Sequence, residues 1–165
     1  MRKEIETWNN FREEVAGPFV ARWREVRYAA VVPLLERPAD PMATLRRAIT
    51  DPADLSNPNV VKLVVDQDGY ALYFTRAAIP YTRAGQPAPT SWRHLGLYVY
   101  RREFLLRIAS LPESPLERAE CLEQLRVLEH GFRIRTVVTT ADSVGVDTPE
   151  DLERVRQLVA AGTRP

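Results

Sequence analysis

The middle of the chain carries short hydrophobic runs separated by polar turns, a pattern typical of β-strands. Residues 60–65 form a β-branched run, residues 66–69 supply turn residues, and residues 70–75 return as a second run. This succession predicts a β-hairpin. Residues 42–45 predict a shorter strand that stops before Arg46, because two consecutive arginines are a poor continuation of a strand.

Residues 94–100 alternate between polar or aromatic positions and apolar positions. His94, Tyr98 and Tyr100 fall on one face of the predicted strand, whereas the apolar residues, including Leu95, fall on the other. Such a strand buries its apolar face in a core and presents its polar face to a cleft. His94 and Tyr98 are therefore placed to contact one ligand.

Helical periods dominate the second half of the chain. We predict helices over residues 102–111, from the capping box at residues 114–117 to Gly131, and over residues 149–160. The second of these is predicted to bury a stripe made of Leu116, Ala119, Leu122, Leu125 and Leu128.

A strand is predicted over residues 132–139, with Val137 and Val138 in the sheet interior. Residues 82–91 contain glycine and prolines and predict an exposed loop. Cys121 is interpreted as a small core residue. The alternation of strands and helices favours an α/β layer with some antiparallel strand pairs.

The first 36 residues are interpreted as a separate helical segment. Apolar residues recur there at helical spacing in two stretches on either side of Gly17-Pro18. Pro38 and Pro41 mark a link. We therefore divide the chain into a helical segment, residues 1–36, and a domain, residues 37–165.

Composition excludes several classes of function. The 165 residues carry 23 basic and 22 acidic side chains, a net charge of +1 that gives no indication of binding to nucleic acid or acidic membranes. No apolar run is long enough to span a bilayer, and the N-terminus lacks the apolar centre of a signal peptide. A single cysteine forms no internal disulfide, which suits a reducing cytoplasm.

The turn that precedes the last predicted helix holds a candidate metal ligand. Gly145 allows a sharp turn, Thr148 is placed as the N-cap, and Pro149 suits the first helical position. Asp147 is thereby held at the start of a helix, where its carboxylate is suited to a hard cation such as Mg²⁺. Plain helix capping explains the same residues. Asp66 and Asp68 are interpreted as turn residues and not as calcium ligands.

Six segments, in this order, resemble the C-terminal half of the 3-deoxy-manno-octulosonate cytidylyltransferases, also called CMP-Kdo synthetases. The segments are NPNVVK at residues 57–62, YFTRAAIP at 73–80, RHLGLY at 93–98, SPLE at 114–117, LEQLR at 122–126 and VGVDTPEDL at 144–152. The resemblance extends from about residue 42 to about residue 158. It implies part of a Rossmann-like nucleotide-diphospho-sugar transferase fold, with a mixed sheet and flanking helices.

Two features expected from the resemblance have no counterpart in this sequence. They are an Arg-rich, Gly-containing phosphate-binding loop and a Gln-Gly-Asp-Glu-Pro segment, and residues 1–30 resemble nothing in the family. We therefore expect the N-terminal nucleotide-binding units of the fold to be missing from this chain. The chain would keep the sugar-binding half of the substrate cleft.

The resemblance implies transfer of CMP from CTP to 3-deoxy-D-manno-octulosonate (Kdo), which forms CMP-Kdo and pyrophosphate for lipopolysaccharide biosynthesis in the cytoplasm. Its implied substrate-binding residues are Arg76, His94, Tyr98, Glu123 and Gln124. Asp147 is implied to be catalytic and to bind Mg²⁺, the implied cofactor. We expect the activity to be impaired in this chain by itself.

Other interpretations of these residues stay open. Without the resemblance, Arg76 is equally well a surface arginine, His94 a hydrogen-bonded histidine of the sheet, and Glu123 and Gln124 solvated residues. The alternative function is a non-catalytic sugar-binding or dimerisation module, either a homodimer or a partner of a full-length homologue. A third possibility is a recombined or frame-shifted start fused to a family C-terminal half.

Overall fold

The computed structural model of the protein describes residues 36–140 together with Glu153, Arg156 and Gln157. Contacts divide the chain into two units, residues 29–140 and residues 1–28 with 141–165. The sheet and its flanking helices belong to the first unit. In the second, the three described residues are helical, as predicted for residues 149–160, and Arg156 forms an ion pair with Glu153 at 3.5 Å.

The described part of the first unit is a mixed sheet with short helices. Its strands are β1 (Met42–Ala48), β2 (Lys62–Val65), β3 (Ala71–Thr75), β4 (Trp92–Tyr100) and β5 (Arg135–Val138). Its helices are α1 (Pro52–Ser56), α2 (Arg102–Ala109), α3 (Pro115–Glu120) and α4 (Gln124–Glu129). The strand order is β3-β2-β4-β1-β5, with β1 and β5 parallel and the other neighbours antiparallel. The predicted α/β class is confirmed.

The predicted hairpin is present as β2 and β3. Its turn contains Gly69 at a φ of +84°, a conformation that glycine adopts without a steric penalty. The carboxylate of Asp66 accepts a hydrogen bond from the main-chain N–H of Tyr70 at 2.8 Å. Turn chemistry therefore accounts for these residues, as predicted.

The two edge regions of the sheet approach each other at this turn. Tyr70 forms an antiparallel bridge with Arg135, and the N–H of Ala71 donates to the carbonyl of Ile134 at 2.9 Å. The N–H of Thr136 donates to the carbonyl of Gly69 at 2.9 Å. The sheet therefore curves enough for the start of β3 to pair with β5.

The core lies against the sheet and beneath α2 and α4. Its buried members are Met42, Leu63, Ala71, Phe74, Phe104, Leu122, Leu125, Val127 and Ile134. Burying each of the larger side chains contributes about 1.5–3 kcal/mol. This common core fixes the strands that carry the candidate site.

The prediction that β1 stops before Arg46 is wrong. The strand continues to Ala48, and Arg46 and Arg47 pair with His94 and Arg93 on β4. The guanidinium of Arg46 stacks over the ring of Trp92 at 4.5 Å from its centroid. Because β1 pairs on both sides, main-chain hydrogen bonds and this stacking outweigh the poor strand preference of the two arginines.

A single helix from Ser114 to Gly131 is also a wrong prediction. Cys121 has a φ of +52°, which ends α3 in a left-handed residue, and α4 starts afresh at Gln124. The first part of the predicted stripe faces outward, since Leu116 is 40% exposed. Cys121 is exposed too, so its interpretation as a small core residue is wrong. Ala119 is exposed as well.

The two short helices are joined by an ion pair and by a capping contact. Arg126 of α4 donates to both carboxylate oxygens of Glu117 in α3, at 2.7 and 2.5 Å. The same carboxylate accepts from the N–H of Ser114 at 3.2 Å, as the capping-box motif predicts. The hydrogen bond from Arg126 is the main cause that lowers the pKa of Glu117.

The edge strand β5 is shorter than predicted, and the placement of Val138 in the sheet interior is wrong. Val138 is 50% exposed, because β5 pairs with only β1 along this part of its length. Among the described residues, no helix has the length and apolar character needed to cross a membrane.

Candidate functional site

A β-bulge in β4 sets the geometry of the candidate site. Thr44 of β1 pairs with Tyr98, whereas the next residue, Leu45, pairs with Leu95. Two residues of β4, Gly96 and Leu97, therefore have no partner in the β1 register. Bulges of this kind bend a strand and re-aim its side chains, and they are frequent beside active sites.

An aromatic row lies along the polar face of β4, and we define it as Phe74 of β3 with His94, Tyr98 and Tyr100 of β4. The His94 ring lies 5.0 Å from Phe74 in an edge-on contact and 5.3 Å from Tyr98. Tyr98 in turn lies 5.9 Å from Tyr100. The prediction that His94 and Tyr98 share one face is confirmed.

Burial disfavours the charged forms of His94 and Tyr98 in this row. Desolvation lowers the pKa of His94 to about 4, so the imidazole is neutral at pH 7. Burial, followed by the nearby Tyr100 and Glu123, raises the pKa of Tyr98 above its usual range, so the phenol keeps its proton. A neutral imidazole and a phenol are suited to hydrogen-bonding with hydroxyl groups.

Arg76 lies directly after β3 and is held by main-chain carbonyls. Its Nε donates to the carbonyl of Glu120 at 2.8 Å, one terminal nitrogen to Pro58 at 3.0 Å, and the other to Cys121 at 3.5 Å. No described hydrogen bond or ring contact joins it to the aromatic row. Arg76 therefore ties the loop before β2 to the end of α3.

Two residues that are not among the predicted site residues support Arg76. Lys62 is fully buried, and its Nζ donates to the carbonyls of Asn57 (2.9 Å) and Arg76. The Glu120 carboxylate accepts from the Thr75 hydroxyl at 2.5 Å and from the Arg76 N–H at 2.9 Å. We call Lys62, Arg76 and Glu120 the Arg76 cluster. Lys62 and Arg76 lie in segments that carry the resemblance, but their spacing of 14 residues does not reveal the contact.

Desolvation acts on both supporting residues of this cluster. Burial is the main cause that lowers the pKa of Lys62. Burial also acts to raise the pKa of Glu120, but hydrogen bonds from Arg76, Thr75 and Tyr73 outweigh it, and the pKa is lowered. The cluster thus holds a charged carboxylate beside Arg76 at neutral pH.

Glu123 and Gln124 lie at the start of α4 and differ in burial. Glu123 is exposed, and its charge helps to raise the pKa of Tyr98 and Tyr100, so it lies within electrostatic reach of the aromatic row. Gln124 is 6% exposed and is therefore not the solvated residue that its sequence context indicated. The break at Cys121 starts the new helix on which Gln124 is buried.

Asp147 lies outside the described residues. Within residues 36–140 and the three described residues beyond them, no group of three or more His, Cys, Asp or Glu side chains is placed to hold a metal ion.

A profile of the family described as Cytidylyltransferase matches residues 22–135. This match covers more than half of the chain. The chain belongs to the cytidylyltransferase family. The resemblance inferred from the six segments is confirmed.

Two similar cytidylyltransferases are named 3-deoxy-manno-octulosonate cytidylyltransferase. The protein of Solibacter usitatus is 53% identical over 133 residues, which cover 81% of this chain and 53% of that protein. The protein of Syntrophotalea carbinolica is 56% identical over 135 residues, which cover 77% and 54%. The chain thus spans about half the length of the curated relatives it matches.

A solved structure shares the same fold. It is CMP:2-keto-3-deoxy-manno-octonic acid synthetase complexed with CTP, with a TM-score of 0.75 and 44% sequence identity over 84% of this chain and 56% of that one. The mixed sheet is therefore that of a nucleotide-diphospho-sugar transferase. The family match starts at residue 22, so the expectation that residues 1–30 resemble nothing in the family is wrong for residues 22–30. The division proposed at residue 37 stays a prediction.

Proposed function

We propose that this chain supplies sugar-acid binding for a nucleotidyltransferase that transfers CMP from CTP to Kdo, forming CMP-Kdo and pyrophosphate for lipopolysaccharide biosynthesis in the cytoplasm. Identities of 53% and 56% to relatives named for Kdo cytidylyl transfer support it. The observation that carries it is the contact between His94 and Tyr98, two uncharged hydrogen-bonding side chains whose ring centroids are 5.3 Å apart. The matched relatives are about twice as long, so the complete reaction is proposed for the whole protein.

The proposed sugar contacts follow from the chemistry of a polyhydroxylated carboxylate. His94, Tyr98, Glu123 and Gln124 provide donors and acceptors for hydroxyl groups. Arg76 provides positive charge for the carboxylate, because each terminal guanidinium nitrogen carries a second N–H beyond the one given to a main-chain carbonyl. The role of these residues is to bind and orient the sugar so that its anomeric hydroxyl meets the α-phosphate of CTP.

Asp147 is the proposed catalytic residue and Mg²⁺ ligand. Magnesium, when bound, neutralises negative charge on transferring phosphates. The described residues offer no set of ligands for it.

Calorimetric titration of this chain with Kdo and, separately, with CTP tests the proposal. We expect Kdo to bind and CTP to give no measurable heat. Absence of Kdo binding at millimolar concentration would refute sugar recognition. Pyrophosphate release with CTP, Mg²⁺ and Kdo tests catalysis by the chain itself, which we propose is impaired.

The second candidate is a non-catalytic module that binds sugar or associates as a homodimer or with a full-length homologue. Exposed apolar side chains on α2 favour association, since Leu105 is 49% and Leu106 58% exposed. Light scattering of the wild type and of Leu106→Gln tests this. A monomer at micromolar concentration in both samples would exclude self-association.

A further inference from the structure

Thr44 is a fully buried hydroxyl beside the candidate site that the proposed function does not use. Its Oγ1 lies 2.8 Å from Nε2 of His94, 2.9 Å from the carbonyl oxygen of Leu97 and 3.3 Å from that of Leu95. The bulge creates this environment, because it turns two carbonyl oxygens of β4 toward a side chain of β1.

The proton count around Oγ1 determines the protonation of His94. A hydroxyl has one proton to donate, and a carbonyl oxygen is an acceptor only. The Thr44 proton therefore goes to a carbonyl of the bulge, with that of Leu97 the closer. Toward His94 the Oγ1 atom is an acceptor, so Nε2 carries the hydrogen.

The protonation of the other ring nitrogen of His94, Nδ1, follows from that of Nε2. Burial holds His94 neutral, and a neutral imidazole carries hydrogen on only one nitrogen. Nδ1 is left with a lone pair. No described residue donates a hydrogen bond to it.

We propose that Thr44 is a positioning residue that holds His94 in the Nε2–H tautomer, so that Nδ1 accepts a hydrogen bond from a hydroxyl group of the bound sugar acid. This inference rests on the proposed function and refines it. A carboxylate has no proton to donate, so His94 recognises a hydroxyl and leaves the carboxylate to another group.

The tautomer is measured directly by long-range ¹H–¹⁵N NMR at neutral pH. The chain has only two histidines, so the spectrum of His130→Gln contains His94 alone. We expect a pyridine-type signal for Nδ1 and a pyrrole-type signal for Nε2. A protonated Nδ1 in the otherwise unchanged protein would overturn the proposal, whether or not Kdo binds.

Two substitutions separate the hydroxyl of Thr44 from its shape. Thr44→Val keeps the volume and removes the hydroxyl, and Thr44→Ser keeps the hydroxyl. We expect Thr44→Val to weaken Kdo binding about 10-fold and to give averaged ring-nitrogen shifts, whereas Thr44→Ser stays within about 3-fold of the wild type.

A matched control is available on β5. Thr136 is also buried, and its hydroxyl donates to the carbonyl of Gly69 at 2.7 Å. Thr136→Val removes a buried hydroxyl that has no described hydrogen bond to His94. We therefore expect the His94 spectrum to be unchanged. Equal effects of Thr44→Val and Thr136→Val on the spectrum and on Kdo affinity would overturn a positioning role.

The sugar-binding proposal and the tautomer proposal fail differently. If the wild type does not bind Kdo, the proposed function fails, and the NMR measurement still decides the tautomer. If the wild type binds Kdo and Thr44→Val binds equally well with the same spectrum, the role of Thr44 fails alone.

Discussion

The aromatic row and the Arg76 cluster hold polar side chains in opposite ways. In the aromatic row, burial disfavours the charged forms of His94 and Tyr98, and their neutral polar groups can still form hydrogen bonds with a ligand. In the Arg76 cluster the charges remain, but Lys62 and Arg76 direct hydrogen bonds at main-chain carbonyls. The first arrangement is suited to recognition, whereas the second holds loops in place. Changes to each should therefore affect different measurements.

The largest expected effect is loss of stability when Lys62 is truncated. Lys62→Ala leaves a cavity and removes the donor from two carbonyls, which we expect to lower the free energy of unfolding by about 3–5 kcal/mol. Urea denaturation measures this. Lys62→Met keeps most of the volume and should cost about 2 kcal/mol.

The surface pair of Arg118 and Glu113 is the control for Lys62. Its atoms are 3.6 Å apart and both side chains are 55% exposed. Glu113→Ala should cost less than about 1 kcal/mol. Equal losses for Lys62→Ala and Glu113→Ala would remove the structural role assigned to the Arg76 cluster.

The next effect concerns the pH dependence of stability. The folded pKa of His94, about 4, lies below the unfolded value of about 6.5, so the unfolded state binds the proton first as the pH falls. This contribution to stability is present above about pH 6.5 and is lost toward pH 4. Between about pH 7.5 and pH 4.5 it amounts to about 2–3 kcal/mol.

His94→Gln should remove this contribution to the change in the free energy of unfolding with pH. Urea denaturation of wild type and variant at the two pH values gives the difference. An unchanged slope in the variant would show that His94 is not held neutral by the fold.

Arg76→Lys tests whether the cluster needs a guanidinium or only a positive charge. A lysine cannot span the three carbonyls that Arg76 bonds, so we expect a loss of about 1–2 kcal/mol in the free energy of unfolding. Kdo affinity measured on the folded variant then shows whether Arg76 also serves the ligand. Full stability in Arg76→Lys would contradict the anchoring role.

The smallest expected effect on the fold, with a clear effect on binding, comes from Tyr98→Phe. The change removes one phenolic hydroxyl and leaves the ring contacts of the aromatic row. We expect Kdo affinity to fall about 5- to 10-fold, with the melting temperature nearly unchanged. Tyr81→Phe, at a position 90% exposed, is the control and should bind like the wild type. Equal affinities in the two variants would remove Tyr98 from the site.

Local patterns in the sequence predicted the elements that depend on near neighbours. The hairpin of β2 and β3 follows from turn residues between two β-branched or aromatic runs, and the start of α3 follows from its capping box. The two-residue period placed His94 and Tyr98 on one face without knowledge of the fold. The motif order was enough to identify the family.

Contacts between distant segments were decided by tertiary structure alone. The break at Cys121, the burial of Lys62 and the continuation of β1 through Arg46 each depend on which segment packs against them. Thr44 and His94 are 50 residues apart, and they meet because strand pairing and the bulge bring them together. Sequence by itself determined which groups this protein carries and along which face of an element they lie. The register between strands, which no local period encodes, decided which of those groups touch and which keep a hydrogen-bonding site for a ligand.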